Sequence, residues 1–213
     1  MDHSFLSDVP EWQLHDALAR SCGGQPVFWT DPVVRIPSAP DSPTSLAHLL
    51  PGVEPSLLKS NAKLPLSVVE EYGLPSKDSF RSTLWSLQPD LLIESADKSL
   101  LVILEAKAGS AKWRIGKRTK EDTYYQLLGD ASRISRKGFF FIAPYSAASD
   151  AFSVLTARFS TTPGVLIGLI VWEDLFPRIG PTLCEVATED LLRSAARLAK
   201  LREHQRMAAK GAV

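Results

Sequence analysis

The sequence predicts an α/β fold in which helices flank a central mixed β-sheet of four to five strands. Two short strand patterns, over residues 89–95 and 100–107, are separated by a polar turn. A helical pattern over residues 121–135 follows, and the apolar runs over 138–145 and 164–172 have the length of buried strands. This succession of strands, helix and strands predicts the fold class.

Length and composition are those of an ordinary globular protein. The chain has 213 residues, of which 45% are apolar and 23% charged, and its formal net charge is zero. Cys22 and Cys184 are far apart and form no recognisable disulfide framework, so we expect reduced thiols. The N-terminus lacks the pattern of a signal peptide, and no apolar run is long enough to span a bilayer. We therefore expect a cytoplasmic protein with no membrane partner.

The N-terminal part divides into a helix and a proline-rich segment. Residues 11–22 have helical spacing and include His15, which we expect to be a surface or half-buried helix residue and not a ligand. Six prolines between Thr30 and Pro55 predict a winding surface segment without a long helix or central strand. We expect residues 1–60 to pack on a main domain formed by residues 61–213.

Three more elements are predicted in the main domain. Two precede the central hairpin, and one lies at the C-terminus. Residues 64–72 predict a short helix, and residues 79–85 predict the first strand of a three-stranded meander. Residues 188–207 predict a long amphipathic helix with Thr188 as its N-cap. Its basic residues predict a solvated face, with nucleic-acid contact as the alternative.

Two carboxylates and a lysine stand together at the predicted hairpin. Asp90 opens its first strand, and the alternation of the second strand places Glu105 and Lys107 on the same face, roughly 7 Å apart. A divalent cation and its bound water fit that span, with Asp90 supplying a second hard oxygen ligand. The alternative is a buried hairpin whose polar end residues only meet water.

Pro89-Asp90 and Glu105-Ala106-Lys107 resemble the two half-motifs of the PD-(D/E)XK nuclease superfamily. The order helix, three strands, helix, strand is also that of the restriction-endonuclease-like αβββαβ core. The resemblance implies a Mg²⁺-dependent enzyme, with Mn²⁺ able to substitute, that hydrolyses phosphodiester bonds in DNA, RNA not being excluded. It implies restriction, repair, recombination or phage defence as the setting.

The resemblance also assigns roles to individual residues. Asp90 and Glu105 would bind the metal with the Ala106 carbonyl, and Lys107 would orient the attacking water. Gln126 on the following helix would assist, as a glutamine does in several branches of the superfamily. Helices before the first core strand often bring another acidic residue, a role that Glu70 or Glu71 could fill; a solvated face is their alternative.

A basic segment begins at the proposed catalytic strand. Residues 107–137 hold nine basic and three acidic side chains. Lysine and arginine supply most of the sequence-independent affinity for nucleic acid through phosphate contacts. The expected phosphate-contacting residues are Lys112, Arg114, Lys117, Arg118 and Lys120.

Two further expectations concern partners. A homodimer is expected if the substrate is duplex DNA, because one domain carries one active site. The alternative to an enzyme is a catalytically silent module on the same fold that binds nucleic acid or a protein partner.

Overall fold

The structure, a computed structural model, describes residues 9–21, 27–55, 57–60, 89–107 and 120–210. The strands are β1 (Val34–Ile36), β2 (Ala39–Thr44), β3 (Leu57–Ser60), β4 (Leu91–Glu94), β5 (Leu100–Ala106), β6 (Arg136–Ala143) and β7 (Val165–Val171). The helices are α1 (Glu11–Ser21), α2 (Val27–Thr30), α3 (Leu46–Leu49), α4 (Lys120–Asp130), α5 (Ala148–Phe159) and α6 (Trp172–Lys210).

One mixed sheet contains all of these strands, in the order β2-β1-β7-β6-β5-β4-β3. Strands β5, β6 and β7 are parallel, and the remaining pairings are antiparallel. Helix α4 connects β5 to β6 and helix α5 connects β6 to β7, as parallel neighbours require. The predicted α/β class with a mixed sheet is confirmed. The predicted number of strands, four to five, is too low, because the sheet has seven.

Each face of the sheet is covered by helices, so the central strands are apolar on both sides. One core lies beneath α4 and α5, where Ile103 of β5 packs with Tyr124 and Phe159. The other lies beneath α1, α2 and the first half of α6, where Leu104 packs with Leu14 and Trp172. The alternation predicted for β5 is thus seen: odd residues face α4, and even residues face α1 and α6.

The proline-rich segment differs from its prediction because it forms strands at the edge of the sheet. The hairpin of β1 and β2 pairs with β7, and β2, with Pro40 and Pro43, is the outermost strand. An outermost strand tolerates residues that lack an N–H, whereas β1 is short and free of proline. The first 60 residues also supply β3, which pairs with β4 at the opposite edge.

The C-terminal helix begins 16 residues earlier than predicted, at Trp172, and contains Pro177 and Pro181. Prolines normally interrupt a helix, so the sequence pattern does not predict this first part of α6. Both prolines are exposed, so they lie on the side of α6 away from the core. Thr188 is therefore not an N-cap; its hydroxyl donates to the Cys184 carbonyl at 2.8 Å, within the helix.

The other predicted elements of the main domain have observed counterparts, and the largest change of a boundary is at the end of α4. The counterparts are β4, β5, α4, β6 and β7. Helix α4 ends at Asp130 instead of residue 135, and the Lys137 ammonium donates to the Ala131 carbonyl at 3.0 Å just beyond that end. The helix predicted over 64–72 and the strand predicted over 79–85 lie outside the described residues.

Candidate active site

Asp90 is buried directly before β4, and the adjacent strand fixes its carboxylate. Its Oδ2 accepts a hydrogen bond from the Ala106 backbone N–H at 2.9 Å. In a regular strand the N–H and C=O of one residue point to the same side, so we expect the Ala106 carbonyl on the side of Asp90. The hairpin therefore brings the Asp90 carboxylate to the end of β5.

Glu105 is the most deeply buried charged side chain of the site, with none of its surface exposed. Its Oε2 lies 2.7 Å from Lys120 Nζ and 3.4 Å from Lys107 Nζ. Its Oε1 is also buried and has no hydrogen-bond partner among the described residues. One oxygen of this carboxylate is thus shared by two lysines while the other remains available to a ligand.

Lys107 is held at both its backbone and its side chain. Its N–H donates to the Ile142 carbonyl at 2.7 Å, and its carbonyl accepts from Trp172 Nε1 at 2.9 Å. Its ammonium also lies 3.3 Å from Glu121 Oε1, in the first turn of α4. Lys107 therefore links the end of β5 to the start of α4.

Burial dominates the electrostatics of Glu105. Loss of solvation, followed by repulsion from the Asp90 carboxylate, raises the pKa of Glu105 to about 8, although both lysines oppose the rise. Burial lowers the pKa of the Lys107 ammonium, but Glu105, Glu121 and Asp90 outweigh burial and raise it. The lysines thus compensate for only part of the cost of placing two carboxylates together.

The prediction that His15 is a surface or half-buried residue is wrong, because its side chain is only 5% exposed. Helix α1 packs on the same face of the sheet as Leu104 and Ala106, and this packing carries the imidazole inward. Its Nε2 lies 4.0 Å from Asp90 Oδ2. A sequence with one histidine in a helix gives no signal for this approach, which depends on how α1 docks.

The remaining predicted site residues fall into two groups. Gln126 is on α4, as expected, with an exposed side chain, whereas the first turn of the same helix supplies Lys120 and Glu121 to the site. Lys120 is engaged with Glu105 and not with solvent alone. The others lie outside the described residues: Glu70, Glu71, Lys112, Arg114, Lys117 and Arg118.

The donors at this site suit a hard divalent cation. Two carboxylates and a carbonyl provide oxygen ligands, and the unpartnered Glu105 Oε1 is a position that a cation would satisfy. Among the described residues there is no cluster of three or more His, Cys, Asp or Glu side chains arranged to hold a metal. Mg²⁺ is usually held by one or two carboxylates and keeps several waters, so two carboxylates would be enough to hold it.

The fold and the site together define an α/β protein with a carboxylate–lysine cluster where its parallel strands end. Comparison of the chain with family models, curated proteins and solved structures finds no match. The nuclease resemblance consequently rests on the motif residues and on their surroundings in the fold. Among the helices of the described ranges, none is both long and apolar enough to cross a membrane.

Proposed function

We propose that this protein is a metal-dependent nuclease of the PD-(D/E)XK type that hydrolyses phosphodiester bonds, with DNA as its substrate. The observation that carries the proposal is the buried Glu105 carboxylate, which Asp90 repels and Lys107 contacts at Oε2, and whose Oε1 has no hydrogen-bond partner among the described residues. Asp90 and Glu105 would hold Mg²⁺ or Mn²⁺ together with the Ala106 carbonyl. The bound cation would supply Lewis-acid activation of the scissile phosphate and of a water.

The lysines act on the charges that develop during hydrolysis. Lys107, fixed at the end of β5, donates to the attacking water and offsets charge on the phosphate oxygens. Lys120 is attached to the same Glu105 oxygen but its side chain is 44% exposed, so it is able to swing toward a phosphate. Although burial lowers the pKa of the Lys107 ammonium, Glu105 and Glu121 outweigh burial and raise it, so this lysine stays protonated.

Regions outside the described residues contribute to the proposal only through their sequence. Lys112, Arg114, Lys117 and Arg118 lie between Lys107 and α4, which begins at the site. Because they follow the proposed catalytic lysine closely in the sequence, we propose that they contact phosphates. The protein is proposed to act in the cytoplasm.

A catalytically silent module that binds nucleic acid or a protein partner is the second candidate. The observation in its favour is the internal pairing of the cluster, since Lys107 and Lys120 both contact Glu105, and Lys107 also contacts Glu121. Such pairs would hold the hairpin against α4 without a cation. The pKa of Glu105 argues against the silent module. Burial and Asp90 raise this pKa to about 8, and the two lysines do not bring it back to its ordinary value.

The test uses supercoiled plasmid, linear duplex, single-stranded DNA and RNA, each with Mg²⁺, Mn²⁺, Ca²⁺ or EDTA. We expect cleavage with Mg²⁺ or Mn²⁺, and binding alone with Ca²⁺, which has looser geometry and activates water poorly. Lys107→Ala should lower cleavage about 10²- to 10³-fold, the range for removing one charge-stabilising donor. Lys98→Ala, which removes a lysine from the other end of the same hairpin, is the matched control and should cleave normally.

Two outcomes would decide against the nuclease. The first is cleavage that persists undiminished in EDTA, which would remove the metal from the mechanism. The second is a Lys107→Ala variant with the parental rate. If no nucleic acid is cut under any condition but the wild type binds it, the silent module is the better description.

A further inference from the structure

The second half of α6 is exposed wherever its side chains are described. Up to Val186 one side of this helix is buried in the core. From Leu191 to Lys200 every side chain is exposed, over ten consecutive residues. The 20 residues from Leu191 to the end of the helix span about 30 Å at 1.5 Å per residue. We call this part, residues 191–210, the α6 arm.

The arm has a firmly fixed base. Arg20 of α1 donates to both oxygens of Glu189, at 2.9 and 3.1 Å, and Gln13 Nε2 donates to Asp190 Oδ2 at 3.3 Å. The arginine lowers the pKa of the Glu189 carboxyl. The direction in which the arm leaves the protein is therefore set by contacts at residues 189 and 190.

An apolar stripe runs along the arm. Leu191, Leu192 and Leu198 are 72%, 64% and 56% exposed, and Ala195 lies between them at helical spacing. Residues at positions i, i+4 and i+7 share one side of a helix, as in helices that pair with another helix. Helices in water gain most of their stability from packing such a side. Within the described part of one chain, nothing packs on it.

Acidic and basic residues lie in separate parts of α6, and this separation favours antiparallel pairing with a second α6. Residues 185–190 contain three acidic side chains and no basic one, whereas residues 191–210 contain six basic side chains and one acidic. Two such helices side by side in parallel would place like charges together. In antiparallel arrangement, the acidic turn of each copy, with the exposed Glu185 beside Glu189 and Asp190 that contact α1, faces the basic arm of the other.

We propose that the α6 arm binds a second copy of this chain as an antiparallel helix pair. The acidic turn is centred near residue 188 and the basic stretch near residue 201, so the two-fold axis passes close to Ala195. The small side chains of Ala195 and Ala196 permit close approach of the helices at that crossing. The contact is isologous, as in most homodimers, and it does not depend on the proposed nuclease activity.

The first experiment measures the mass of the full-length protein by sedimentation equilibrium over a hundredfold range of concentration. We expect a species of twice the 23.4 kDa chain mass that dissociates on dilution. Leu191→Lys with Leu198→Lys removes the stripe and adds positive charge opposite the partner's basic residues, so this variant should be monomeric. Ser153→Lys with Ala157→Lys, at two exposed positions of α5, adds the same charge elsewhere and should still dimerise.

The lysine variant also separates self-association from nucleic-acid binding by the arm. Added lysines would strengthen contact with phosphates, whereas they should abolish the dimer. A wild-type chain that stays monomeric throughout the concentration range would overturn the proposal. A dimer that survives in the lysine variant, with its helical circular dichroism unchanged, would overturn it as well.

The second experiment tests orientation by disulfide cross-linking in a Cys22→Ser background. Antiparallel pairing around residue 195 places Ala195→Cys beside its counterpart, so mild oxidation should give a covalent dimer. Cys184, which is exposed, would then face the region of residue 206 and should not cross-link to itself. A Cys184 dimer would require parallel helices and would contradict the proposed arrangement.

Discussion

Two buried glutamates at the ends of neighbouring strands differ in what surrounds them. Glu94, at the end of β4, is 2% exposed and lies 3.1 Å from Lys98, four residues further along the same hairpin. Glu105, at the end of β5, is fully buried, contacts lysines from two separate elements, and is repelled by Asp90. A local turn is sufficient to explain the first pair. The second brings together charged side chains from separate elements, an arrangement that the proposed cation site would explain.

The largest expected effect separates the two glutamates by activity. Glu105→Gln and Asp90→Asn remove proposed cation ligands, so each should lower metal-dependent cleavage about 10³-fold, equal to about 4 kcal/mol of transition-state stabilisation. Glu94→Gln is the matched control and should cleave at the parental rate. Initial rates on plasmid with saturating Mg²⁺ measure the difference. Equal loss in all three variants would mean that the effect is one of folding.

Stability should change in opposite directions in the two glutamine variants. The folded pKa of Glu105, about 8, exceeds the ordinary value of 4.5, so its protonated form favours the fold. That contribution is complete below pH 4.5 and is lost as pH rises through 8. Glu105→Gln should therefore raise the free energy of unfolding at pH 9 by on the order of 3 kcal/mol, with little change near pH 4.

Glu94→Gln supplies the comparison in the same urea titrations. It breaks the ion pair with Lys98, whose side chain is 36% exposed, so solvent screening limits the loss to about 1 kcal/mol. A stabilised Glu105→Gln beside a weakened Glu94→Gln would identify Glu105 as a residue kept for function. Destabilisation of both at pH 9 would show that the lysines pair with Glu105 more strongly than its raised pKa implies.

Metal affinity should depend on pH through Glu105. A cation must displace the proton from this carboxyl, whose pKa burial raises to about 8. The Mn²⁺ dissociation constant should consequently rise about tenfold for each pH unit below 8 and level off above it. Calorimetric titrations between pH 6 and 9 check this slope. A flat profile would exclude Glu105 as a ligand.

The smallest effect concerns Lys120, whose ammonium lies 2.7 Å from Glu105 Oε2, beside the Oε1 proposed to bind the cation. Lys120→Met removes a positive charge that repels the cation, so Mn²⁺ should bind about fivefold more tightly, equal to about 1 kcal/mol. Lys98→Met, at the other buried glutamate, should leave the affinity unchanged. If Lys120→Met weakened binding, the lysine would be helping to assemble the site.

The sequence predicted the parts of this molecule that depend on local pattern. The alternation in β5 correctly gave the common face of Glu105 and Lys107, and the apolar runs gave β6 and β7. Contacts between segments that are distant in the chain have no such local pattern in the sequence, so they were not predicted. His15 reaches Asp90 only because α1 docks on the sheet, and Lys120 reaches Glu105 across the connection from β5 to α4. These approaches depend on tertiary packing.

Prolines account for the largest differences between the predicted and the observed fold. Their spacing predicted an irregular segment over residues 30–55, but an outermost strand needs no N–H donors on its outer side, so β2 accommodates them. Pro177 and Pro181 concealed the first half of α6, where both rings lie on the exposed side. In each case proline is tolerated because the missing hydrogen bond and the proline ring lie outside the packed core.

Titration of Mn²⁺ into wild type, Glu105→Gln and Glu94→Gln at pH 8.5 tests the central claim most directly. At this pH the Glu105 carboxyl is largely ionised in the folded protein. We expect one cation bound by the wild type and by Glu94→Gln, and none by Glu105→Gln at the same concentrations. Binding that is absent from the wild type, or that persists in Glu105→Gln with unchanged affinity, would contradict a cation site between Asp90 and Glu105.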